Sequence, residues 1–284
     1  MNHNDIDSRN KDIRPGLTAL VLAASRKGTE DPVASHAGTT HKCLVEVDGI
    51  AMIQRVIQVL IDSGLCRNIL VSIESEDILR QVPKVAEWLD QGRIGIAPSA
   101  SNLADSVMSL REHEESPVPL LVTTADNALH TGAIVTHFID RSLAGGADIT
   151  VGVTSESTVR EQFPDEQIGF FRFRDGGYSF CNLFMLRSVA ALEVAEVFRS
   201  GGQFRKRPWR ILGAFGLINL LLYRFRLTTM NACIDRIGRN FGIKATTVEV
   251  PWAHAPIDVD NPQTLAFSER LLRQWREEGG RDNH

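Results

Sequence analysis

The feature that most constrains this chain is the alternation, through its first half, of short apolar runs with amphipathic helical segments. Residues 17–24 (LTALVLAA) and 119–126 (PLLVTTAD) are apolar runs of strand length. Residues 51–62 (AMIQRVIQVLID) repeat apolar side chains at helical spacing. Strands that are apolar on both faces are typical of a parallel sheet covered by helices on both sides. The alternation therefore predicts a three-layer α/β/α fold with an open, mostly parallel sheet.

The same patterns place further elements along the chain. Strands are predicted at residues 68–73, 93–98, 148–153 and 244–250, helices at 75–89, 103–113, 131–143 and 262–275, a hairpin at 168–186, and a loop at 25–41. Asn261 before Pro262 is a typical helix start, and Pro83 predicts a break in its helix. We expect a flexible tail over 1–15 and one domain over 16–284, with an inserted helical segment at about 187–245.

Composition and charge exclude several classes of protein. The chain of 284 residues has a formal net charge of −4, which is unlike a general nucleic-acid binder, so we expect no nucleic-acid partner. Its four cysteines are far apart and form no zinc motif. No apolar run is long enough to cross a bilayer, and the polar first residues lack the apolar core of a secretory signal. We expect a cytoplasmic protein with reduced thiols.

Polar residues that follow the predicted strands are the first candidates for chemistry, because ligands bind outside the carboxyl ends of strands in open α/β sheets. The loop that begins at Ser25 carries Arg26 and Lys27 and extends to Lys42. Small residues and cations suit a phosphate, but the loop contains no established glycine motif, and a surface loop with incidental cations is the alternative.

Three aspartates form the second group of candidates. Asp126 ends a predicted buried strand, where it is either a helix cap or a metal ligand. Asp258 and Asp260 alternate with Val259, so both carboxylates point to the same side of an extended segment. A hard divalent cation would relieve their mutual repulsion; the alternative is a solvated turn. His41, His130 and His254 have no metal-binding spacing, and we place them outside the catalytic set.

In their order along the chain, five segments resemble the MobA-like NTP transferases, which have the GT-A type Rossmann-like fold of nucleotide-diphospho-sugar transferases. These segments are LVLAA with its polar loop, HKCLVEVDGIAMIQRVIQVL, PSASNLADSV, LLVTTADNALH and APIDVDNPQTL. The resemblance implies that Asp126, Asp258 and Asp260 hold a metal and that Lys42 and Arg26 act on the triphosphate. It further implies a nucleotide site, made up of Ala23, Ala24, Ser25, Arg26, Lys42, Ser101, Ser106 and Asp126.

The activity that this resemblance implies is Mg²⁺-dependent transfer of an NMP group from an NTP, with CTP or GTP expected, to a phosphorylated small-molecule acceptor. Pyrophosphate would be released, and Lys42, Asp126 and Arg26 would be the catalytic residues. One alternative is a sugar-nucleotide-dependent glycosyltransferase, although such enzymes usually carry a D-x-D motif where this chain has Asp126, Asn127 and Ala128. Another is a degenerate nucleotide-binding regulator, because two glycines of the family's loop motif are missing.

A basic segment separates this chain from a minimal member of that family. Residues 199–239 carry nine arginines and lysines but a single acid, Asp235. Within the segment, residues 211–223 (ILGAFGLINLLLY) are almost entirely apolar and form either a buried helix or a surface that meets lipid headgroups or a lipid-linked precursor. A third interpretation makes Arg205 and Arg207 ligands of the acceptor's phosphate.

Overall fold

A computed structural model describes residues 16–24, 31–98, 117–198 and 216–279. Its strands are β1 (Leu17–Leu22), β2 (Glu46–Val47), β3 (Ile50–Ala51), β4 (Cys66–Ile73), β5 (Gly95–Pro98), β6 (Leu120–Thr124), β7 (Ile149–Ser155), β8 (Phe171–Phe173), β9 (Gly176–Leu186) and β10 (Ala245–Glu249). Its helices are α1 (Pro32–Ala37), α2 (Met52–Ser63), α3 (Glu76–Leu79), α4 (Pro83–Asp90), α5 (Gly132–Gly145), α6 (Glu156–Gln162), α7 (Val189–Phe198), α8 (Leu217–Arg224), α9 (Met230–Asn240) and α10 (Pro262–Glu277).

An eight-stranded sheet organises these elements in the order β10-β7-β9-β6-β1-β4-β5, with β8 paired to β9. The pairs β1–β4, β1–β6, β4–β5 and β7–β10 are parallel, whereas β9 runs antiparallel to both β6 and β7. The strands β2 and β3 form a separate small ladder. The expected open, mostly parallel sheet is confirmed, and parallel strands bring the carboxyl ends of β1, β4 and β6 to one edge.

Helices cover both faces of the sheet. On one face, α2, α4 and α5 pack the buried side chains of Ile57, Trp88 and Phe138 into the largest apolar cluster. On the other face, α7 packs Leu192 against β1 and β6, and α9 packs Met230 against β7. The predicted three-layer α/β/α architecture is therefore confirmed. It explains why residues 17–22 are apolar without alternation, since both sides of β1 are buried.

The helix boundaries agree with the sequence predictions where side chains mark the ends. Pro83 begins α4 at the expected break, and Asn261 caps α10 by accepting a hydrogen bond from the Thr264 backbone N–H at 2.9 Å. The prediction of a loop over residues 25–41 is wrong in part, because residues 32–37 form the helix α1. This helix is too short to show a periodic pattern. Asp31 caps it by accepting from two backbone amides, and Gly38 ends it in the left-handed conformation. The helix predicted at 103–113 lies outside the described residues.

The segment between β9 and β10 contains α7, α8 and α9. The helix α8 is anchored to α9 by a hydrogen bond from Asn219 Nδ2 to Cys233 O at 3.3 Å. Its Tyr223 ring lies 5.2 Å from the Phe173 ring, measured between centroids. The helix α9 in turn packs against β10 at Gly238. No helix among the described residues is both long and apolar enough to cross a membrane.

The packing of α9 on the sheet generates a stability prediction. A Cβ atom at Gly238 would lie 2.7 Å from Ala245 Cβ and 2.8 Å from Ile243 O. We expect Gly238→Ala to lower the free energy of unfolding by about 2 kcal/mol, because the helix must move away from β10. The matched control is Gly145→Ala in α5, where a Cβ meets nothing within 4 Å and alanine favours the helix. Urea denaturation measures both, and equal effects would contradict the packing argument.

Candidate active site

Two chain segments meet at the carboxyl edge of the sheet. The backbone N–H of Val259 donates to Asp126 O at 3.1 Å, which joins the extended segment before α10 to the end of β6. Val259 is fully buried, so its neighbours Asp258 and Asp260 both face the opposite side, toward Asp126. One carboxylate oxygen from each aspartate lies within 4.8 Å of the other two. The structure thus brings together the three acids that the sequence analysis selected as metal ligands.

Lys42 lies among these acids. It begins a short 3₁₀ helix, residues 42–44, and its Nζ lies 2.5 Å from Asp126 Oδ2 and also contacts the Asp260 carboxylate. Burial disfavours the charged form of Lys42, but Asp126 and Asp260 outweigh that effect and raise its pKa. Lys42 therefore stays protonated at physiological pH and offsets part of the negative charge.

Among the described residues, the single positive charge of Lys42 does not balance the three carboxylates. Burial, followed by repulsion from Asp260 and Asp126, raises the pKa of Asp258 to about 6, although Lys42 acts in the opposite direction. The site therefore holds a carboxylate whose charge is poorly compensated. Clustered carboxylate oxygens are the donors that hard divalent cations prefer, so the described residues fit such an ion. The acids differ in access, with the Asp126 side chain 20% exposed and that of Asp260 60% exposed.

Three polar side chains, those of Thr124, Asn127 and Asn182, position the acids through hydrogen bonds. The Thr124 hydroxyl lies 2.5 Å from Asp126 Oδ1 and also contacts Asn127 Oδ1, and its single hydrogen serves one of them at a time. Asn127 is fully buried and accepts from Asn182 Nδ2 at 3.1 Å. The same Asn182 nitrogen lies 3.5 Å from Asp258 Oδ2. The contacts tie the end of β6 to Asp258 through β9.

Asn182 is a residue that the sequence analysis missed. It has a φ of 50°, in the left-handed region that residues other than glycine seldom adopt. It lies in a bulge of β9. Phe180 pairs with Val153 and Phe184 pairs with Val151, so β9 has two more residues over this stretch than β7. Bulges beside active sites re-aim side chains, and this one directs Asn182 toward the acids. The sequence carries a weak sign of it, because Asn182 is a strongly polar residue in the apolar run FCNLFML.

The structure leaves several predicted site residues undescribed. Ala23 and Ala24 follow β1 at the carboxyl edge, where Ala23 N donates to Ser72 O at 2.9 Å and the adjacent Ala125 N donates to Leu22 O at 2.9 Å. The remaining sequence-predicted residues lie outside the described ranges: Ser25, Arg26, Ser101, Ser106, Arg205 and Arg207.

His130 holds the loop that follows Asp126. Its Nε2 lies 3.1 Å from Ala255 O, and burial lowers its pKa to about 4, despite the opposing influence of backbone carbonyls and Asp126. It is therefore neutral at pH 7 and pins the loop to the segment that leads into Asp258. His254 packs edge-on to Trp275, with 4.8 Å between ring centroids, and His41 contacts Thr40.

Solved structures share the fold. A hypothetical transferase from Thermus thermophilus superposes with a TM-score of 0.70 at 22% identity, covering 88% of this chain and 99% of that one. The 4-diphosphocytidyl-2C-methyl-D-erythritol synthase from Anaerococcus prevotii superposes with a TM-score of 0.54 at 13% identity, covering 91% and 98%. Protein sequences of curated function give no match to this chain.

The open sheet that this chain shares with those structures carries three acids and a lysine at its carboxyl edge, and the family match assigns the chain to a class of enzyme, the nucleotidyltransferases. Within that class, a family model described as the MobA-like NTP transferase domain matches residues 19–280. The chain belongs to this family. The family predicted from the sequence motifs is thereby confirmed, and so is the assignment as a nucleotidyltransferase.

The environment of His130 gives a pH-dependent prediction. Its pKa in the folded protein, about 4, is below the usual 6.5, so the unfolded chain binds more protons in that range and stability falls with falling pH. Between pH 7 and pH 5 we expect the titration of His130 to lower the free energy of unfolding of the native protein by about 2 kcal/mol. The His130→Gln variant lacks this group and should not show that loss. The penalty of the substitution should therefore shrink by that amount in urea denaturation. If exposed His36→Gln behaves identically, burial is not the cause.

Proposed function

We propose that this protein transfers an NMP group from an NTP to a phosphorylated small-molecule acceptor and releases pyrophosphate, with Mg²⁺ bound by Asp126, Asp258 and Asp260. The observation that carries the proposal is the approach of the three carboxylates to within 4.8 Å, beside Lys42, at the carboxyl edge of the sheet. Membership of the family implies an NTP and a small-molecule acceptor as substrates, but it does not identify which NTP or which acceptor. CTP is the first donor to test, because the name of the Anaerococcus synthase describes a diphosphocytidyl product; GTP is the second.

The described residues would bind the divalent ion and would help to stabilise the negative charge that develops on the phosphate oxygens. A bound divalent ion supplies a strong positive charge for the phosphate oxygens on which negative charge develops. Asp126 and Asp258 would hold such an ion, because Thr124 and Asn182 position their carboxylates. Phosphoryl chemistry of this kind depends mainly on positioning and electrostatics and needs no side-chain nucleophile.

Lys42 would change partners when nucleotide binds. In the structure it stabilises Asp126 and Asp260, the two carboxylates that it contacts. Once a divalent ion offsets those charges, the Lys42 ammonium can bind the triphosphate, which is the role that the family motif assigns to it. The same residue would thus compete with the ion in the free enzyme and assist the nucleotide in the complex.

Residues outside the described ranges complete the proposal. Ser25 and Arg26, next to Ala23 and Ala24, would surround the triphosphate, whereas Ser101 and Ser106 would face the nucleoside. Arg205 and Arg207 would bind the acceptor's phosphate. Charge removal at either arginine should then raise the KM for the acceptor much more than the KM for the NTP.

Pyrophosphate release tests the reaction class directly. The full chain is incubated with Mg²⁺, one of CTP, GTP, ATP or UTP, and a panel of phosphorylated sugars and polyols. We expect release that depends on both substrates, with CTP or GTP preferred. Tight nucleotide binding without turnover across the panel would instead support a nucleotide-binding regulator.

Substitution of the acids should separate stability from activity. We expect Asp126→Asn and Asp258→Asn each to lower kcat/KM by about 100-fold or more, because the ion's position is lost. In metal-free buffer, Asp258→Asn should unfold at a higher temperature than the native chain, because a poorly compensated charge is removed. Asp62→Asn, at an exposed acid in α2, is the matched control and should change neither quantity. An active Asp126→Asn enzyme would refute the assignment of the metal site.

The two roles of Lys42 predict effects of opposite sign. Lys42→Met should raise the affinity of the nucleotide-free protein for Mn²⁺ about fivefold, since a competing cation is removed. The same variant should bind the NTP about tenfold more weakly, because a phosphate ligand is lost. Calorimetric titration with Mn²⁺ and with NTP measures both. Lys84→Met, at a lysine paired with Glu87 on the surface, is the control; parallel losses of both affinities would contradict the exchange of partners.

A further inference from the structure

The helix α8 has one buried face and one exposed face. Asn219 is buried and bonds to α9, and Tyr223 packs against the hairpin at Phe173. These contacts fix the rotation of α8 about its axis. The opposite face therefore points away from the protein and is not turned inward to the sheet.

That outward face is apolar. Leu217, Ile218, Leu221 and Phe225 are 60%, 73%, 48% and 65% exposed, and Leu227 beyond them is 59% exposed. At 100° per residue the first four lie within an arc of about 100°, so they form one stripe. Proteins commonly expose single apolar side chains, whereas a contiguous group of several exposed apolar side chains indicates an interaction surface. The interpretation of residues 211–223 as a buried helix is therefore wrong for the described residues of α8.

Positive charge borders the stripe. Arg224 and Arg226 are exposed beside Phe225 and Leu227. Over residues 216–243 the chain has four arginines and one acid, Asp235, which pairs with Arg239. The surface formed by Leu217, Ile218, Leu221, Arg224, Phe225, Arg226 and Leu227, which we term the α8 surface, is thus apolar with a cationic border.

Arg226 has a backbone conformation that does not suit it. Its φ is 54°, and the Arg226 and Leu227 amides donate to Tyr223 O at 2.9 Å and to Leu222 O at 2.7 Å. This is the Schellman arrangement that ends many helices, and glycine usually occupies the left-handed position. An arginine is less favourable there than glycine, and it places a cationic side chain at this end of the stripe.

We propose that the α8 surface binds the face of an anionic lipid bilayer. The stripe lies on a convex helix of eight residues, about 12 Å long, which suits insertion among headgroups and is far shorter than a bilayer core. Arginines beside the apolar residues would reach the lipid phosphates while their stems lie along the acyl boundary. Complementary charge favours this partner over a second copy, whose α8 surface would bring like charges together. The binding requires no nucleotide, metal or turnover.

Co-sedimentation with vesicles tests the proposal on the full chain. One vesicle contains phosphatidylcholine and phosphatidylglycerol in equal parts, and the other contains phosphatidylcholine alone. We expect binding to the anionic vesicle that weakens as salt increases, because headgroup attraction is screened. Ile218→Ser and Phe225→Ser should each weaken it at least about tenfold. Arg226→Asn should weaken it about fivefold without lowering the unfolding temperature, since asparagine accepts the left-handed conformation.

Matched controls come from other surfaces of the chain. Ile50→Ser and Arg93→Asn remove an exposed apolar residue and an exposed arginine elsewhere, and each should leave vesicle binding unchanged. Failure to bind the anionic vesicle, equal binding to both vesicles, or equal losses in the controls would overturn the proposal. Self-association of the native chain that Ile218→Ser abolishes, without vesicle binding, would assign the surface to a second copy. None of these results depends on the transfer reaction, which the pyrophosphate assay tests separately.

Discussion

Mutual repulsion among Asp126, Asp258 and Asp260 is the electrostatic cost that the structure at the carboxyl edge of the sheet must offset. The three carboxylates are held together by structure that is stable for other reasons. Val259, between two of them, is buried in an apolar cluster with Val33, Met52, Ala128 and Leu265. The start of α10 fixes the other end, since the Asp260 amide donates to Thr264 Oγ1 at 3.0 Å. Apolar burial and helix capping thus oppose an electrostatic cost and leave a site that favours added positive charge.

Among the described residues, three other than glycine have a left-handed φ: Asp48, in the two-residue turn between β2 and β3, Asn182 and Arg226. At Asn182 a bulge in a central strand turns an amide toward Asn127 and Asp258, where its hydrogen bonds offset the unfavourable φ. At Arg226 the left-handed residue ends α8, its side chain lies exposed, and the backbone hydrogen bonds to Tyr223 O and Leu222 O close the helix. The conformation of Asn182 is explained by the site, and that of Arg226 places a cationic side chain at the end of the exposed apolar face of α8.

Much of the fold could be predicted from local patterns. The helices α2 and α10 repeat their apolar side chains over three turns or more, and Asn261 and Pro262 mark the start of α10. The strands β1 and β6 were found instead as unbroken apolar runs, which are typical of strands buried on both faces. The helix α1 could not be found in this way, because six residues give fewer than two turns. The direction of β9 was also hidden, since a central strand is apolar whether it runs parallel or antiparallel to its neighbours.

The sequence by itself determined the layered α/β class, the acids at strand ends and the family, because these depend on residue type and order. The alternation in IDVDNP also established that Asp258 and Asp260 share a side. Only the tertiary structure decided that Asp126 and Lys42 join them, that Asn182 supports Asp258, and that one face of α8 is left uncovered. The physical reason is that these facts depend on contacts between residues far apart in the chain. Local pattern does not encode such contacts, whereas strand order and packing do.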